Sequence, residues 1–343
     1  MRRPRKFFSL IIILILINVL FFSFWYAFGG RNLFRNWLTG MVGTLLKADI
    51  SMTDLHISDK QIFAQNIHFA TKDSLISVNA DNIRVSYNLY KFIFSGFKPK
   101  GVVGSVEISK PIVALNYTPK PKTRKPKPKR EFKLPDLSGY FRKLTLEDGS
   151  FSANIHIPLK IVNKGNLSIE ESLSNINLIV NNNKFIDIDL KANTSLGGTI
   201  SVMGRLDRGR IDRAEADIAG FKPLYITHPD IRDFRSELNL NASYREPADS
   251  SAAMYMGKAL IWNSTAVLLD KYPVKIPLIS AEADGANLSG RLTRSTLGSS
   301  DIEADFMLRN IGKRMSFDGS ALKANLDLGM ILPQLSGMVH AEA

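Results

Sequence analysis

Hydrophobic and polar positions follow three different rhythms along this chain. Phe7 to Phe28, FFSLIIILILINVLFFSFWYAF, is apolar except for Ser9, Asn18 and Ser23. At ~1.5 Å per residue such a helix covers about 33 Å, enough for a hydrocarbon core of roughly 30 Å, so the pattern predicts a transmembrane anchor over 7–28. The run outlasts the ~7–15-residue core usual in a signal peptide, though Ala27 and Gly29 leave a small-residue cleavage site as the alternative. Trp25 and Tyr26 suit the far membrane interface, where amphipathic rings sit among headgroups. From Arg31 to Leu46 the period turns helical, with Leu33, Trp37, Met41 and Leu45 four residues apart and Phe34, Leu38 and Val42 beside them. This predicts an amphipathic helix over 31–46, lying on the outer membrane surface or capping the domain that follows.

From Ile50 onward the period is two. In FSANIHIPLKI, Phe151, Ala153, Ile155, Ile157, Leu159 and Ile161 alternate with Ser152, Asn154, His156, Pro158 and Lys160, as in a strand covered on one face only. The same alternation runs through Ile76, Val78 and Ala80, then Ile83, Val85, Tyr87 and Leu89, and later through Ile186–Ala192, Leu238–Tyr244, Ile302–Leu308 and Leu322–Leu328. Asp148-Gly149, Gly197-Gly198, Arg208-Gly209, Asp284-Gly285 and Asp318-Gly319 punctuate these runs as hairpin or bulge dipeptides. Helical pattern is confined to Tyr90–Phe97 and Pro229–Phe234. The fold class is therefore mostly β: a long, mainly antiparallel sheet with one apolar face and a few short helices. Such a face is hidden by a second sheet, by closure into a barrel, or by something that is not protein, and the pattern leaves the three open.

Charge adds a direction. The chain of 343 residues carries a formal +13, but Arg2, Arg3, Arg5 and Lys6 with the stretch Lys120–Lys133 account for all but +2. The body thus lacks the basic field that draws in nucleic acid, and no nucleic-acid partner is expected. Four cations before the span place residues 1–6 in the cytoplasm and everything after Phe28 outside it. In YTPKPKTRKPKPKREFKLPD, alternating Pro and Lys resist both sheet and collapse, so 118–135 reads as an extended, solvated insertion. From there Lys125, Lys127, Lys129 and Arg130 are within reach of anionic headgroups.

Candidate chemistry changes the picture little. With no cysteine there is no disulfide, thiolate metal site or cysteine nucleophile. The histidines at 56, 68, 156, 228 and 340 stand apart, so no helical metal pair forms. Asp187 and Asp189 share a strand face that reads as solvated, and neither a phosphate loop nor a GxSxG elbow occurs. No catalytic, metal or cofactor site is expected, and the chain is not read as an enzyme.

The segment Ser74–Tyr117 resembles the amino-terminal signature of AsmA-like (TamB-like) envelope proteins. The matching positions are Ile76, Val78 and Asp81, then Ile83, Val85 and Tyr87, then Leu89, Phe92 and Gly96, then Val103, Val106, Ile108, Pro111, Val113 and Leu115. After the polar insertion, Leu134, Pro135, Leu137, Leu144, Leu146, Gly149 and Phe151 continue the likeness, whereas Lys47-Ala48 stands where many members have Gly-Arg. The resemblance implies an inner-membrane, single-pass protein with a periplasmic body. Its sheet would curl into an open, taco-like groove that carries phospholipid between inner and outer membranes and contributes to envelope homeostasis. On that reading Ile83, Val85, Tyr87, Val106, Ile108, Phe151, Ile155, Ile157, Leu159 and Ile161 line the groove. Residues 49–117 form its first β region and 136–343 continue it, stopping inside a further repeat. Phospholipid and the inner membrane are the implied partners, with an outer-membrane assembly protein as a further one. The alternative is a non-transporting scaffold or assembly factor with a closed β-sandwich.

Overall fold

The structure, a computed structural model, describes residues 48–94, 101–118, 139–160, 164–207, 209–246, 254–309, 316–327 and 338–342, with scattered residues between 30 and 43. The predicted anchor, with Arg2, Arg3, Arg5, Lys6, Trp25 and Tyr26, lies outside the described residues, as do Ile161 and the insertion with Lys125, Lys127, Lys129 and Arg130. Those described between 32 and 43 are helical. Among the described residues no helix is long and apolar enough to cross a membrane.

Strands β1 (Ala48–Ser51), β2 (Asp54–Ile57), β3 (Gln61–Thr71) and β4 (Ile76–Tyr87) lead to a short helix, α1 (Leu89–Phe94). Then come β5 (Val103–Ser109), β6 (Ile112–Tyr117), β7 (Lys143–Lys160), β8 (Lys164–Asn182), β9 (Ile186–Thr194), β10 (Thr199–Asp207) and β11 (Arg210–Phe221). The chain continues through β12 (Tyr225–Thr227), β13 (Ile231–Arg245), β14 (Met254–Leu268), β15 (Tyr272–Gly285), β16 (Asn287–Leu297), β17 (Ser300–Arg309), β18 (Ser316–Asp327) and β19 (Met338–Glu342). The helical pattern at Tyr90–Phe97 corresponds to α1. That at Pro229–Phe234 does not become a helix: its apolar spacing belongs to a turn and the start of β13, where strand pairing overrides a short local pattern.

All nineteen strands among the described residues belong to one curled sheet. β1 and β2 pair only with β3, and β19 only with β18, so the described sheet keeps two free ends and does not close into a barrel. It is mixed: β5 and β6 lie parallel to β7, and the other ladders are antiparallel. Tyr117 at the end of β6 pairs with Ile155, while β7 begins at Lys143 beside Ser105. At ~3.3 Å per residue those ends lie roughly 40 Å apart along the sheet, and a parallel connection of that span needs a long linking chain. The Pro/Lys stretch is that link.

A line of left-handed residues crosses the first half of the sheet. Asn66 in β3, Lys110 between β5 and β6, Asp148 in β7 and Asn175 in β8 all have φ near +50°. They sit at one level, since the Lys110 N–H donates to Glu147 O and Gly149 pairs with Ile176. Each breaks the strict alternation by one residue. Apolar positions therefore run Ile62, Ala64 then Ile67, Phe69 in β3, and Leu144, Leu146 then Phe151, Ala153 in β7, yet stay on one face. Asn and Asp tolerate this conformation better than other side-chain-bearing residues, which accounts for three of the four positions, Lys110 being the exception. The bulges that accompany the line bend the strands, and bent strands curl the sheet. A second line follows through Asp233 in β13, Asn263 in β14 and the register shift after Leu292 in β16.

Between the halves the sheet divides. The second part of β8 pairs with β9, whereas Ser168–Glu170 of its first part pair with β12. β9, β10 and β11 therefore fill one side of the junction and β12 alone the other. The close approach at its centre needs glycine: a Cβ on Gly198 would meet Gly220 O at 2.5 Å. His228 closes the β12 side. Its side chain and that of Asp230 are fully enclosed; Nε2–H donates to Leu159 O at 3.1 Å, and Nδ1 accepts the Asp230 N–H at 3.1 Å. Both ring nitrogens are thus used by one neutral tautomer, fastening β12 to the β7–β8 hairpin.

Candidate functional site

Following the register from strand to strand gives an unbroken apolar row. It begins Leu55–Ala64–Ile83–Ile108–Leu146–Leu178–Leu190–Val202 across β2 to β10. It goes on as Ala216–Ala242–Gly257–Ala283–Leu288–Leu308–Phe317 to β18. A second row, Ile62–Val85–Val106–Leu144–Val180–Ile188–Gly204–Ala214–Tyr244–Tyr255, runs beside it. At ~4.8 Å per strand the first row is about 65 Å long, roughly twice the thickness of a bilayer's hydrocarbon core.

Little covers this face. Among the described residues the buried apolar side chains are Ala48, Leu55, Ala64, Ala80, Val102, Ile186, Ala192 and Ala324, most of them alanines. A sandwich of two such sheets would bury large aliphatic residues by the dozen. Here the row residues are mainly half-buried. The alternation in exposure gives the sense of the curl: in β11 Arg213, Glu215 and Asp217 are exposed while Ala214, Ala216 and Ile218 are half-buried, so the apolar face is the inner one.

The predicted lining residues other than Ile161 lie along this face. Ile83, Val85, Val106 and Ile108 lie in the two rows, and Tyr87 pairs with Val103 at the strand end. Its hydroxyl donates to Ser58 O, and burial, with Asp59 nearby, pushes the phenol pKa up. Phe151, Ile155, Ile157 and Leu159 continue the face opposite Leu173, Ile169, Leu167 and Gly165 on β8, beyond the crease. Ile157 and Leu159 are 38% and 39% exposed, at the strand end. The exception in charge is Glu171, opposite Ala153, whose Oε2 accepts the Leu224 N–H at 3.1 Å and so ties β8 to the approach of β12.

Charge is otherwise segregated to the outer face. Arg205 donates to Asp187 at 2.7 Å, and this hydrogen bond raises the already high guanidinium pKa. Arg84–Glu107, Lys258–Glu282 and Arg291–Glu303 are further cross-strand pairs. Asp187 is therefore a structural partner, while His156 Nδ1 meets Ser168 Oγ at 2.9 Å. Among the described residues no three His, Asp or Glu side chains gather as a metal site.

Sequence reasoning overlooked two parts of the face. β8 supplies Leu173, Ile176, Leu178 and Val180, whose alternation is masked by the crease at Asn175. Ala216, Gly257 and Ala283, on either side of Ala242 in the row, were missed because alanine and glycine give weak apolar signal. The signal was nonetheless present in RAEADIAG, where Ala214, Ala216 and Ile218 alternate with charges. These small residues lower the floor of the second half.

Comparison with known proteins returns no match: no family model fits the chain, and no curated protein or solved structure is similar to it.

Proposed function

We propose that this chain is a membrane-anchored, periplasmic lipid carrier in which acyl chains lie against the inner face of the curled sheet. The observation that supports this most is the apolar row from Leu55 to Phe317, continuous from β2 to β18 and left largely uncovered by the described residues. Such a face in water is costly, and each methylene that covers it contributes about 0.8 kcal/mol. Phospholipid suits it because the tails satisfy the row while headgroups remain at the open mouth. The resemblance of Ser74–Tyr117 to AsmA-like proteins and the apolar run at 7–28 favour the same reading.

The reading needs no catalytic group. Transfer requires only that binding be similar at successive positions, so that a lipid meets no deep minimum or polar barrier. Rows in which one apolar residue replaces another from strand to strand meet that condition.

Native mass spectrometry of the purified full chain tests the proposal. Wild-type protein should carry phospholipid; Ile155→Asp should lose it while keeping its circular dichroism, and Ser152→Asp on the outer face should not. Protein that is lipid-free when gently extracted and remains monodisperse sinks the reading.

A further inference from the structure

The two rims of the curled sheet, formed by opposite ends of the strands, differ in charge. One rim is a continuous strip: Lys60 O accepts the Tyr87 N–H, Asn88 N–H donates to Val102 O, Gly101 N–H to Gly139 O, Arg142 N–H to Gly104 O, and Asn182 N–H to Arg142 O. Along it stand Lys60, Lys91, Arg142, Lys143 and Lys184, all exposed and none in an ion pair among the described residues. The carboxylates among the described residues of the strip are Asp59 and, level with Lys143, Asp187, which is paired with Arg205 at 2.7 Å. Between the cations project Tyr90 and Phe94 of α1, 71% and 86% exposed and one helical turn apart, with Tyr140 beside them at 42%.

The opposite rim is mixed. There the exposed Lys72, Arg232 and Lys271 stand among the exposed Asp73, Asp233 and Asp270, Arg232 is tied to Asp270 at 2.8 Å, and the β7–β8 hairpin places Lys160 and Lys164 at the same end.

We infer that the cationic rim is a docking surface for an anionic bilayer. Aromatic side chains that protrude into solvent are costly in water and favourable among headgroups, and unpaired lysines and arginines beside them match anionic phosphates. A protein partner would call for a flatter apolar patch with charged residues excluded from its centre, whereas here cations and rings interleave. The strip belongs to strands β3 to β9, the end of the sheet next to the predicted anchor. It would hold that end of the groove against the membrane surface from which lipid enters. The inference rests on the membrane location in the proposed function and is independent of lipid passage along the rows.

The chain has no cysteine, so single labels are clean. The full chain is reconstituted in vesicles of phosphatidylcholine, alone or with phosphatidylglycerol, carrying an environment-sensitive fluorophore at Phe94→Cys or, on the other rim, at Lys271→Cys. The Phe94→Cys label should shift to the blue only with phosphatidylglycerol and revert at about 1 M salt, where the screening length falls to about 3 Å. The Lys271→Cys label should not respond. Combining Lys60→Glu, Lys91→Glu, Arg142→Glu and Lys184→Glu with the first label should abolish the shift; if that variant fails to fold, the salt response of the single label decides alone. Equal emission in both vesicle types, or equal shifts at both rims, overturns the inference. Lipid adducts formed from the groove at Ile155 are scored in the same samples, so loss of one signal with retention of the other shows which of the two readings has failed.

Discussion

Ile155 on β7 stands directly opposite Ile169 on β8, with Tyr117 of β6 completing the row on its other side. Three apolar residues from three strands thus meet on one face, although β6 joins β7 in parallel and β8 joins it antiparallel. Such rows, repeated across the sheet, are the physical basis of the proposed function and fix where it is vulnerable.

A bulky residue in the small-residue part of the floor should block the rows locally. Ala242 lies between Ala216 and Gly257. Ala242→Trp is expected to leave lipid adducts formed from Val85 unchanged and to deplete those formed from Leu288, several strands further on. Adducts from photoreactive residues at the two positions, quantified in the same membranes, check this.

The creases depend on left-handed backbone. Asn175, at φ 49°, should accept glycine within a few tenths of a kcal/mol, whereas Asn175→Val should cost about 1–2 kcal/mol, because Cβ crowds the following carbonyl. Chemical denaturation of the two variants measures the difference.

How much of this was legible in the sequence follows from the creases. Where alternation is unbroken, as from Phe151 to Leu159, the strand and its pairing were legible, although Asn154 and His156 of the polar set are half-buried and Ile157 and Leu159 of the apolar set are exposed. Ile76–Ala80 and Ile83–Tyr87 looked like separate runs, but they are one strand whose phase slips at Asp81-Asn82 opposite Asn66. β14 escaped notice because Met254, Met256 and Leu260 on its outer face fill the gaps between Tyr255, Ala259 and Ile261, and alternation vanishes. The parallel pairing of β6 with β7 and the division at β8 involve partners far apart in sequence, which no local pattern encodes. His228 stands apart from the other histidines in sequence, and only the fold brings Leu159 O to its ring.

That histidine should matter more than its isolation in sequence implies. His228→Ala removes two hydrogen bonds inside an enclosed site and is expected to cost about 2–4 kcal/mol, with faster amide exchange confined at first to β12 and the β7–β8 hairpin. Exchange mapped by mass spectrometry distinguishes this from global loosening.

The outer face offers a pH-dependent pair. The hydrogen bond from Arg294 holds the Asp301 carboxyl below the usual carboxylate range, with Asn325 donating to the same group. A carboxylate with a lowered folded pKa contributes stability above its ordinary pKa and loses it as the pH falls through the folded value. Arg294→Gln should move the Asp301 titration upward, and the stability difference from wild type should shrink in acid. Carboxyl-carbon NMR titration reads the first and acid denaturation the second.

Site-specific photocrosslinking in living cells tests the central claim most directly. A photoreactive residue is placed in turn at Val85, Ile155, Leu190, Ala242 and Leu288 on the inner face, and at Ser152, Asp217 and Lys258 on the outer. The account predicts phospholipid adducts at every inner position, along the whole row, and none at the outer ones. Adducts absent from the inner face, or equal on both faces, contradict it.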